Sequence, residues 1–435
     1  MLDPGYSETG RTHVVFAPNW MVRAPVRCLM QALAADGADV RFVGGCVRDA
    51  LVGEDVVDLD VGVPRPPDAV MACLSAAGIK AVPTGLAQGT ITAVLEDQDV
   101  EVTSLRRDIE TDGRHAVVRF TEDWREDARR RDFTINALSM TPDGAIFDYC
   151  GGMADLETRT VRFVGDPEKR IREDALRILR FYRFVARFGL SGADALSRRA
   201  CRDLAALVSN LSRERISQEI FKTLTARHAP DAVNVLTADK ILDRAVVAPW
   251  APDRFARMIA LEEGLGLPAD AGRRLVSLIA DAAAVEPAVR SLNSSARTTD
   301  RLLAMVQHEP AAAAHWRSGD NGRGEAKRWR AAFYRYGAEA WRDATLLVCS
   351  RQSEAGDMLR LRALSEAADV WQLPTLPVRG ADLVARGITG PAVGKGLDFI
   401  ERWWVANDFS PGRAEALDKL EEAVALVRLL PKSGS

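Results

Sequence analysis

The stretch 41–62, RFVGGCVRDALVGEDVVDLDVG, constrains the fold of this chain more than any other part of the sequence. Its first half is a short apolar strand that runs into Gly44 and Gly45, followed by a predicted short helix that carries Arg48. Glycines let a backbone approach a bound group closely, and the free N–H groups at a helix start suit a phosphate. A Gly-Gly pair after a strand is also typical of an ordinary turn, so this half leaves both interpretations open.

The second half of the stretch is an apolar run that carries Asp58 and Asp60. Alternate residues of a strand point to the same side, so this spacing predicts that both carboxylates share one face. Two carboxylates on one face repel each other unless a cation lies between them, although a solvated strand end gives the same pattern. Together with the glycines and Arg48, the pair predicts a nucleoside triphosphate held with Mg²⁺.

A third carboxylate, Glu101, stands between two valines on a later predicted strand. A site that binds two metal ions needs a further acidic ligand, and we predict that this strand lies near the one with the Asp pair. An exposed Glu on a strand face is the alternative interpretation.

Composition limits the classes of protein. A chain of 435 residues with 47% hydrophobic residues is long enough for about two to four domains with real cores. It lacks an apolar run of about 18 residues and a signal-peptide pattern, and its six cysteines form no CxxC pair. These features predict a cytoplasmic protein without membrane spans, disulfides or zinc. The net charge of −3 is unfavourable for general nucleic-acid binding, but local basic patches decide affinity.

One long helix is predicted from Asp166 to Gly189, with an Asp-Pro start and a glycine end. Asp174 and Arg177 lie one turn apart on it and offer an acceptor beside a fork of donors. Such a pair matches the Watson–Crick edges of cytosine and adenine but not those of guanine and uracil. An ordinary salt bridge to Arg177 from Glu173 or Asp174 is the alternative.

Three motifs of the sequence together resemble those of class II nucleotidyltransferases, the family of bacterial tRNA CCA-adding enzymes and poly(A) polymerases. They are GGCVRD with the Asp pair, RRDFTINAL, and EDALRILR. The resemblance is dense over residues 41–224 and thinner at 376–404. It implies template-independent addition of CCA, from CTP and ATP, to the 3′ end of tRNA, with release of pyrophosphate and dependence on Mg²⁺.

The resemblance also implies a role for each site residue. Asp58 and Asp60 bind the metal, and Glu101 is the third catalytic carboxylate. Asp112 and Arg114 belong to a flexible loop that adjusts as the required nucleotide changes. The nucleotide-binding residues are Gly44, Gly45, Arg48, Arg131, Asn136, Asp174, Arg177, Arg180 and Arg183. A run of three arginines such as 129–131 is otherwise typical of a solvated face.

The predicted fold is α+β: an α/β nucleotidyltransferase head, with a mixed sheet and helices, followed by an all-α neck, body and tail. The predicted boundaries are 18–160 for the catalytic head, 161–228 for the neck with the nucleotide-selecting helix, 229–370 for the body and 371–435 for the tRNA-binding tail. A poly(A) polymerase, an enzyme that adds only CC or only A, and a non-catalytic RNA-binding protein are the alternatives. The sequence leaves the oligomeric state open.

Overall fold

The computed structural model describes residues 11–15, 18–96, 98–111, 116–189, 192–318, 323–352 and 357–429. The chain forms two compact units. Unit 1 comprises Met1–Val247 and Ser291–Asn293, and unit 2 comprises Ala248–Arg290 and Ser294–Ser435.

Unit 1 contains the sheets. The described strands are β1 (Arg11–Val15), β2 (Arg41–Val43), β3 (Leu59–Val63), β4 (Lys80–Gly85), β5 (Thr90–Val94), β6 (Asp99–Ser104), β7 (Arg106–Thr111), β8 (Ala116–Phe120), β9 (Ser139–Met140) and β10 (Ala145–Phe147). Eight of the described strands form one sheet in the order β1-β10-β9-β2-β3-β6-β5-β4, and β7 pairs with β8 separately. The large sheet is mixed, because β3 runs antiparallel to β2 and parallel to β6.

The strand β3 occupies the middle of this sheet, and its sequence explains why. Leu59, Val61 and Val63 are buried, which suits a strand that is covered by helices. Gly62 leaves room for the ring of Trp124, since a Cβ at this position would lie 2.8 Å from that ring. A larger residue would push the ring away from the strand.

Helices of unit 1 surround the sheet and then continue the chain. They are α1 (Ala24–Leu33), α2 (Gly45–Leu51), α3 (Pro67–Ala76), α4 (Trp124–Arg129), α5 (Gly152–Glu157), α6 (Pro167–Glu173), α7 (Leu176–Phe188), α8 (Ala195–Asp203), α9 (Arg213–Leu224), α10 (Ala229–Ala238) and α11 (Ile241–Ala245). Phe133 and Phe163 pack against Phe181 and Phe184 of α7, with ring centroids 5.3–6.3 Å apart. This buried aromatic contact fixes α7 against the sheet-bearing part of unit 1.

The helices after residue 247 are α12 (Pro252–Leu265), α13 (Ala271–Leu278), α14 (Ala282–Ser291), α15 (Ala296–Arg317), α16 (Arg323–Tyr336), α17 (Ala338–Arg351), α18 (Met358–Asp369), α19 (Gly380–Val384), α20 (Pro391–Ala406) and α21 (Arg413–Leu429). Arg273 lies buried between Glu262 and Asp343, at N–O distances of 2.8 and 3.0 Å. Leu383, Ile400 and Leu420 form a separate small core among α19, α20 and α21. The predicted mixed sheet followed by helices is therefore confirmed.

One local prediction was wrong. The single long helix is two helices, α6 and α7, because Asp174 has an extended backbone (φ −153°, ψ 107°). After β10 the chain forms the short helix α5. Asp148 is the physical reason, because its carboxylate accepts hydrogen bonds from the backbone N–H groups of residues 150–153 and so starts that helix.

Among the described residues, no helix is both long enough and apolar enough to cross a bilayer.

Candidate active site

The parallel pairing of β3 with β6 brings the predicted carboxylates together. Asp60 lies directly opposite Glu101 in the register of the two strands. Paired residues of neighbouring strands leave the sheet on the same face, so both carboxylates project to one side. The prediction that the Glu101 strand lies near the Asp60 strand is confirmed.

The placement of Asp58 differs from the prediction. It lies in a bend just before β3, which begins at Leu59, so strand alternation does not set its direction. Asp58 is exposed and Asp60 is half-buried. Within the described part of the chain, no set of three or more His, Cys, Asp or Glu side chains is arranged to hold a metal ion. Asp58, Asp60 and Glu101 therefore form an open group and not a closed cage.

The charge of Asp60 shows how these groups interact. Burial, followed by the nearby charges of Glu101 and Asp58, raises the pKa of Asp60 to about 6, against the opposing charges of Arg131 and Arg48. Repulsion between carboxylates is relieved when a divalent cation binds between them, and carboxylate oxygens are the ligands that Mg²⁺ prefers. The donor set thus fits such a cation, with Asp58 and Asp60 as the residues that would hold it.

The glycine turn adopts a conformation that a side chain would disturb. Gly44 joins β2 to α2 with φ +70°, and a Cβ there would lie 2.8 Å from Nη1 of Arg131. The guanidinium of Arg131 bonds to Asp127 at 3.1 and 3.2 Å and to the carbonyl of Asn136 at 3.3 Å. Gly45 is the first residue of α2. The absence of side chains at the turn therefore lets Arg131 lie against the backbone beside the Asp60 carboxylate.

A chain of hydrogen bonds fixes the buried Arg48. Its Nη1 donates to Oδ1 of Asn136, and its Nε and Nη2 donate to Asp49 at 2.7 and 2.9 Å. The amide nitrogen of Asn136 donates to Asp132 at 2.9 Å. Asp132 in turn accepts from Nε of Arg180 at 2.7 Å. This chain links α2, the RRDFTIN segment and α7.

Each arginine on α7 has a carboxylate partner from a different part of unit 1. Arg183 donates to Glu219 at 2.6 Å, and Arg187 contacts Asp49 at 2.9 Å. Burial alone would raise the pKa of Asp132, but the charge of Arg180 and the hydrogen bonds lower it to about 2. These ion pairs hold the helix in place beside the carboxylate site.

The predicted base-reading residues lie where α6 ends and α7 begins. Asp174 accepts from the backbone N–H of Leu176 at 3.1 Å and from Arg215 at 2.7 Å. Arg177 donates to Glu173 and to the carbonyl of Arg170, both at 2.8 Å. The salt bridge proposed as the alternative is therefore present with Glu173. Asp174 and Arg177 still lie side by side, since the N–H of Arg177 donates to the Asp174 carbonyl.

The predicted flexible-loop residues Asp112 and Arg114 lie outside the described residues. The flanking strands β7 and β8 form an antiparallel hairpin. At its base, Thr121 donates to Glu126 at 2.6 Å, and the ring of Phe120 lies against Gly89. The C-terminal end of the hairpin is thus anchored to the head.

Comparisons with known proteins give the family. A family model described as "Poly A polymerase head domain" matches residues 40–162, and one described as "Probable RNA and SrmB- binding site of polymerase A" matches residues 194–246. The human mitochondrial CCA tRNA nucleotidyltransferase 1 is 30% identical over 420 residues, which cover 91% of this chain and 90% of that protein. The chain belongs to the family of CCA tRNA nucleotidyltransferases and poly(A) polymerases.

Other members of the family match over different lengths. The mouse mitochondrial CCA tRNA nucleotidyltransferase 1 is 40% identical over 214 residues, 48% of this chain and 49% of that protein, so this match spans about half of each. The crystal structure of the Bacillus stearothermophilus CCA-adding enzyme in complex with CTP superposes with a TM-score of 0.71 at 25% identity. The superposition covers 94% of this chain and 99% of the chain of the Bacillus stearothermophilus enzyme.

Three acidic residues at the site had no role in the sequence-based predictions. Asp127 orients Arg131, Asp132 joins Asn136 to Arg180, and Asp49 bridges two arginines. The i,i+4 spacing of Asp127 and Arg131 is a signal that could have found the first. The bonds of Asp132 to Arg180 and of Asp49 to Arg187 are tertiary, and spacing along the chain carries no signal for them.

Proposed function

We propose that this nucleotidyltransferase adds C, C and A, taken from CTP and ATP, to the 3′ end of tRNA and releases pyrophosphate. The observation that carries the proposal is the half-buried Asp60 carboxylate. It interacts electrostatically with the carboxylates of Glu101 and Asp58 and with the guanidinium groups of Arg131 and Arg48. Carboxylates and arginines at one place suit the transfer of a nucleotide from a triphosphate. The name of the human relative and the CTP complex of the bacillar enzyme support the choice of substrates.

Mg²⁺ is the proposed metal, and Asp58 and Asp60 would hold it, with Glu101 as a third carboxylate. When bound, it would lower the pKa of the terminal ribose hydroxyl and neutralise charge on the leaving pyrophosphate. Asp60 must be ionised for this role. With a pKa of about 6 in the metal-free protein, it is mostly ionised at neutral pH.

The triphosphate is assigned to the turn and its two arginines. Gly44 and Gly45 let the phosphates approach the backbone, and Arg48 and Arg131 supply positive charge. Both guanidinium groups are already oriented by hydrogen bonds, and Asn136 is a positioning residue for Arg48. Little conformational entropy is then lost when the nucleotide binds.

The base of the nucleotide is assigned to Asp174 and Arg177. The Asp174 carboxylate would accept from the exocyclic amino group, and Arg177 would donate to ring acceptors of cytosine or adenine. A guanidinium has five N–H donors, so Arg177 retains donors after its bonds to Glu173 and to the carbonyl of Arg170. By the same count, Arg180 and Arg183 can contact the nucleotide while they remain paired.

The remaining parts of the chain are assigned by the same proposal. We assign catalysis to residues 18–160 and base selection to residues 161–228. The tRNA would be bound through its phosphates by residues 229–370 and 371–435. Asp112 and Arg114 adjust the site as the required base changes from C to A. The proposed place of action is the cytoplasm.

The test is extension of tRNA that lacks its 3′ CCA end. With CTP and ATP together, the wild-type protein should add three nucleotides and stop. With CTP alone it should add two, and GTP and UTP should support no addition. A long ladder of A residues with ATP alone would identify a poly(A) polymerase instead. No extension under any condition, with intact tRNA binding, would favour a non-catalytic RNA-binding protein.

A further inference from the structure

A cavity in unit 1 lies at the C-terminal end of α7. Its volume is about 340 Å³, and it is lined by Glu54, Arg183, Arg187, Lys222, Ala226 and Arg227. Ligand pockets have volumes of about 300–1,000 Å³, so the space is sufficient for a small charged group. Among the residues that the structure describes, no aromatic ring lines it, which makes it unsuitable for stacking a nucleobase.

The lining carries more positive charge than its own carboxylate can balance. Four of the six lining residues are Arg or Lys, and Glu54 is the single acid. Glu54 pairs with Arg187, and Arg183 pairs with Glu219. Lys222 and Arg227 are exposed, and among the described residues neither side chain has a hydrogen-bond or ion-pair partner. Two cationic groups therefore remain available for an anion.

An anion in the cavity would also stabilise the charged forms of the partly buried Arg183 and Arg187. Burial lowers the pKa of Arg183, and burial together with the charge of Arg48 lowers the pKa of Arg187. A lowered arginine pKa means that the positive charge is disfavoured where it lies. A phosphate beside these groups would offset that cost through charge-assisted hydrogen bonds.

We propose that this cavity binds a backbone phosphate of the RNA substrate. Of its lining residues, only Arg183 is also assigned to the incoming nucleotide. The choice of RNA rests on the proposed function. The exposed Lys222 and Arg227 suit a phosphate that arrives with a large ligand, and the partly buried Arg183 and Arg187 provide the floor. The carboxylate group around Asp60 is influenced by other arginines, Arg131 and Arg48.

The experiment measures binding of trimmed tRNA, by fluorescence anisotropy without CTP or ATP, over a series of salt concentrations. The variant is Lys222→Ala/Arg227→Ala. The matched control, Lys80→Ala/Arg202→Ala, removes one exposed Lys and one exposed Arg that do not line the cavity. Thermal unfolding of both variants checks that the fold is intact.

The cavity variant should bind tRNA several-fold more weakly than the control, and the slope of log K against log salt should fall by about one. Its KM for CTP and the inhibition constant for pyrophosphate should stay at the wild-type values. Lys222→Arg/Arg227→Lys should restore binding. Equal tRNA binding by variant and control overturns the proposal. So does a weaker affinity for pyrophosphate with unchanged tRNA binding, because free polyphosphate would then be the ligand.

Binding is measured without catalysis, so the two proposals fail in different ways. A wild-type protein that binds trimmed tRNA through this cavity but adds no nucleotide contradicts the proposed function alone. A wild-type protein that completes CCA, with no loss of binding in the cavity variant, contradicts the cavity assignment alone.

Discussion

The ion pair between Asp132 and Arg180 gives a quantitative prediction. Its carboxylate is nearly buried, with 10% of the side chain exposed, and its pKa is lowered from 3.8 to about 2. A lowering of this size corresponds to roughly 2–3 kcal/mol of folding free energy at pH 7. Asp132→Asn removes that contribution and also leaves Arg180 without its carboxylate. The expected loss of stability is therefore about 2–4 kcal/mol.

The pH dependence follows from the sign of the shift. A carboxyl group whose pKa is lowered by folding stabilises the protein above its unfolded pKa, and this contribution disappears as the pH falls through the folded pKa. For Asp132 this contribution should fall to roughly half of its pH 7 value at about pH 3, because that pH lies between the unfolded and the folded pKa. Urea unfolding of the wild type and of Asp132→Asn, at a series of pH values, measures the difference.

Asp203→Asn is the matched control, because Asp203 pairs with Arg199 on an exposed helix face. Its cost should be under about 0.5 kcal/mol at every pH. If Asp132→Asn costs no more than this control, or if its cost does not shrink in acid, the pair does not stabilise the native state in the way described.

The remaining predictions concern activity. Asp60→Ala should abolish nucleotide addition and leave tRNA binding intact, as measured by primer extension and by anisotropy, because a metal ligand is lost and the phosphate contacts are not. Arg177→Ala should lower the preference for CTP over UTP by several-fold or more, since a good base-edge contact carries about 1–3 kcal/mol. Asp112→Ala and Arg114→Ala should still add two C residues to trimmed tRNA but stall before A, as seen by gel electrophoresis of the products.

Each of these outcomes can be contradicted. Near-normal turnover of Asp60→Ala with Mg²⁺ would remove it from the metal site. An unchanged CTP-to-UTP ratio with a lower rate would make Arg177 a structural or phosphate-binding residue. Complete CCA ends from both loop variants would mean that the loop does not govern the change from C to A.

The sequence allowed the central strands to be predicted because their signals are local. Gly44 follows a buried strand and directly precedes α2, as expected, and Glu101 lies opposite Asp60. The break at Asp174 was missed because its neighbours are all good helix formers. An Asp side chain competes with the helix by bonding to a nearby backbone N–H, and here it does so at Leu176.

The ion pairs around the site could not be predicted from spacing. Arg187 meets Asp49 only after the sheet and α7 have packed together, and Arg180 reaches Asp132 across 48 residues. The arginines of α7 recur at helical spacing, but this pattern does not name partners on other elements. The roles of the site residues and the four-part division of the chain stay predictions.

The carboxylate partners of Arg180, Arg183 and Arg187 on α7 are synthesised at different times. A ribosome makes the chain from its N-terminus, so Asp49 and Asp132 have already been synthesised when α7 emerges. The partner of Arg183, Glu219, follows 36 residues later. A nascent α7 can therefore dock onto a preformed sheet through two of these pairs, while the third waits for α9. The strands of the large sheet are therefore already synthesised when α7 emerges from the ribosome, before the rest of unit 1 has been made.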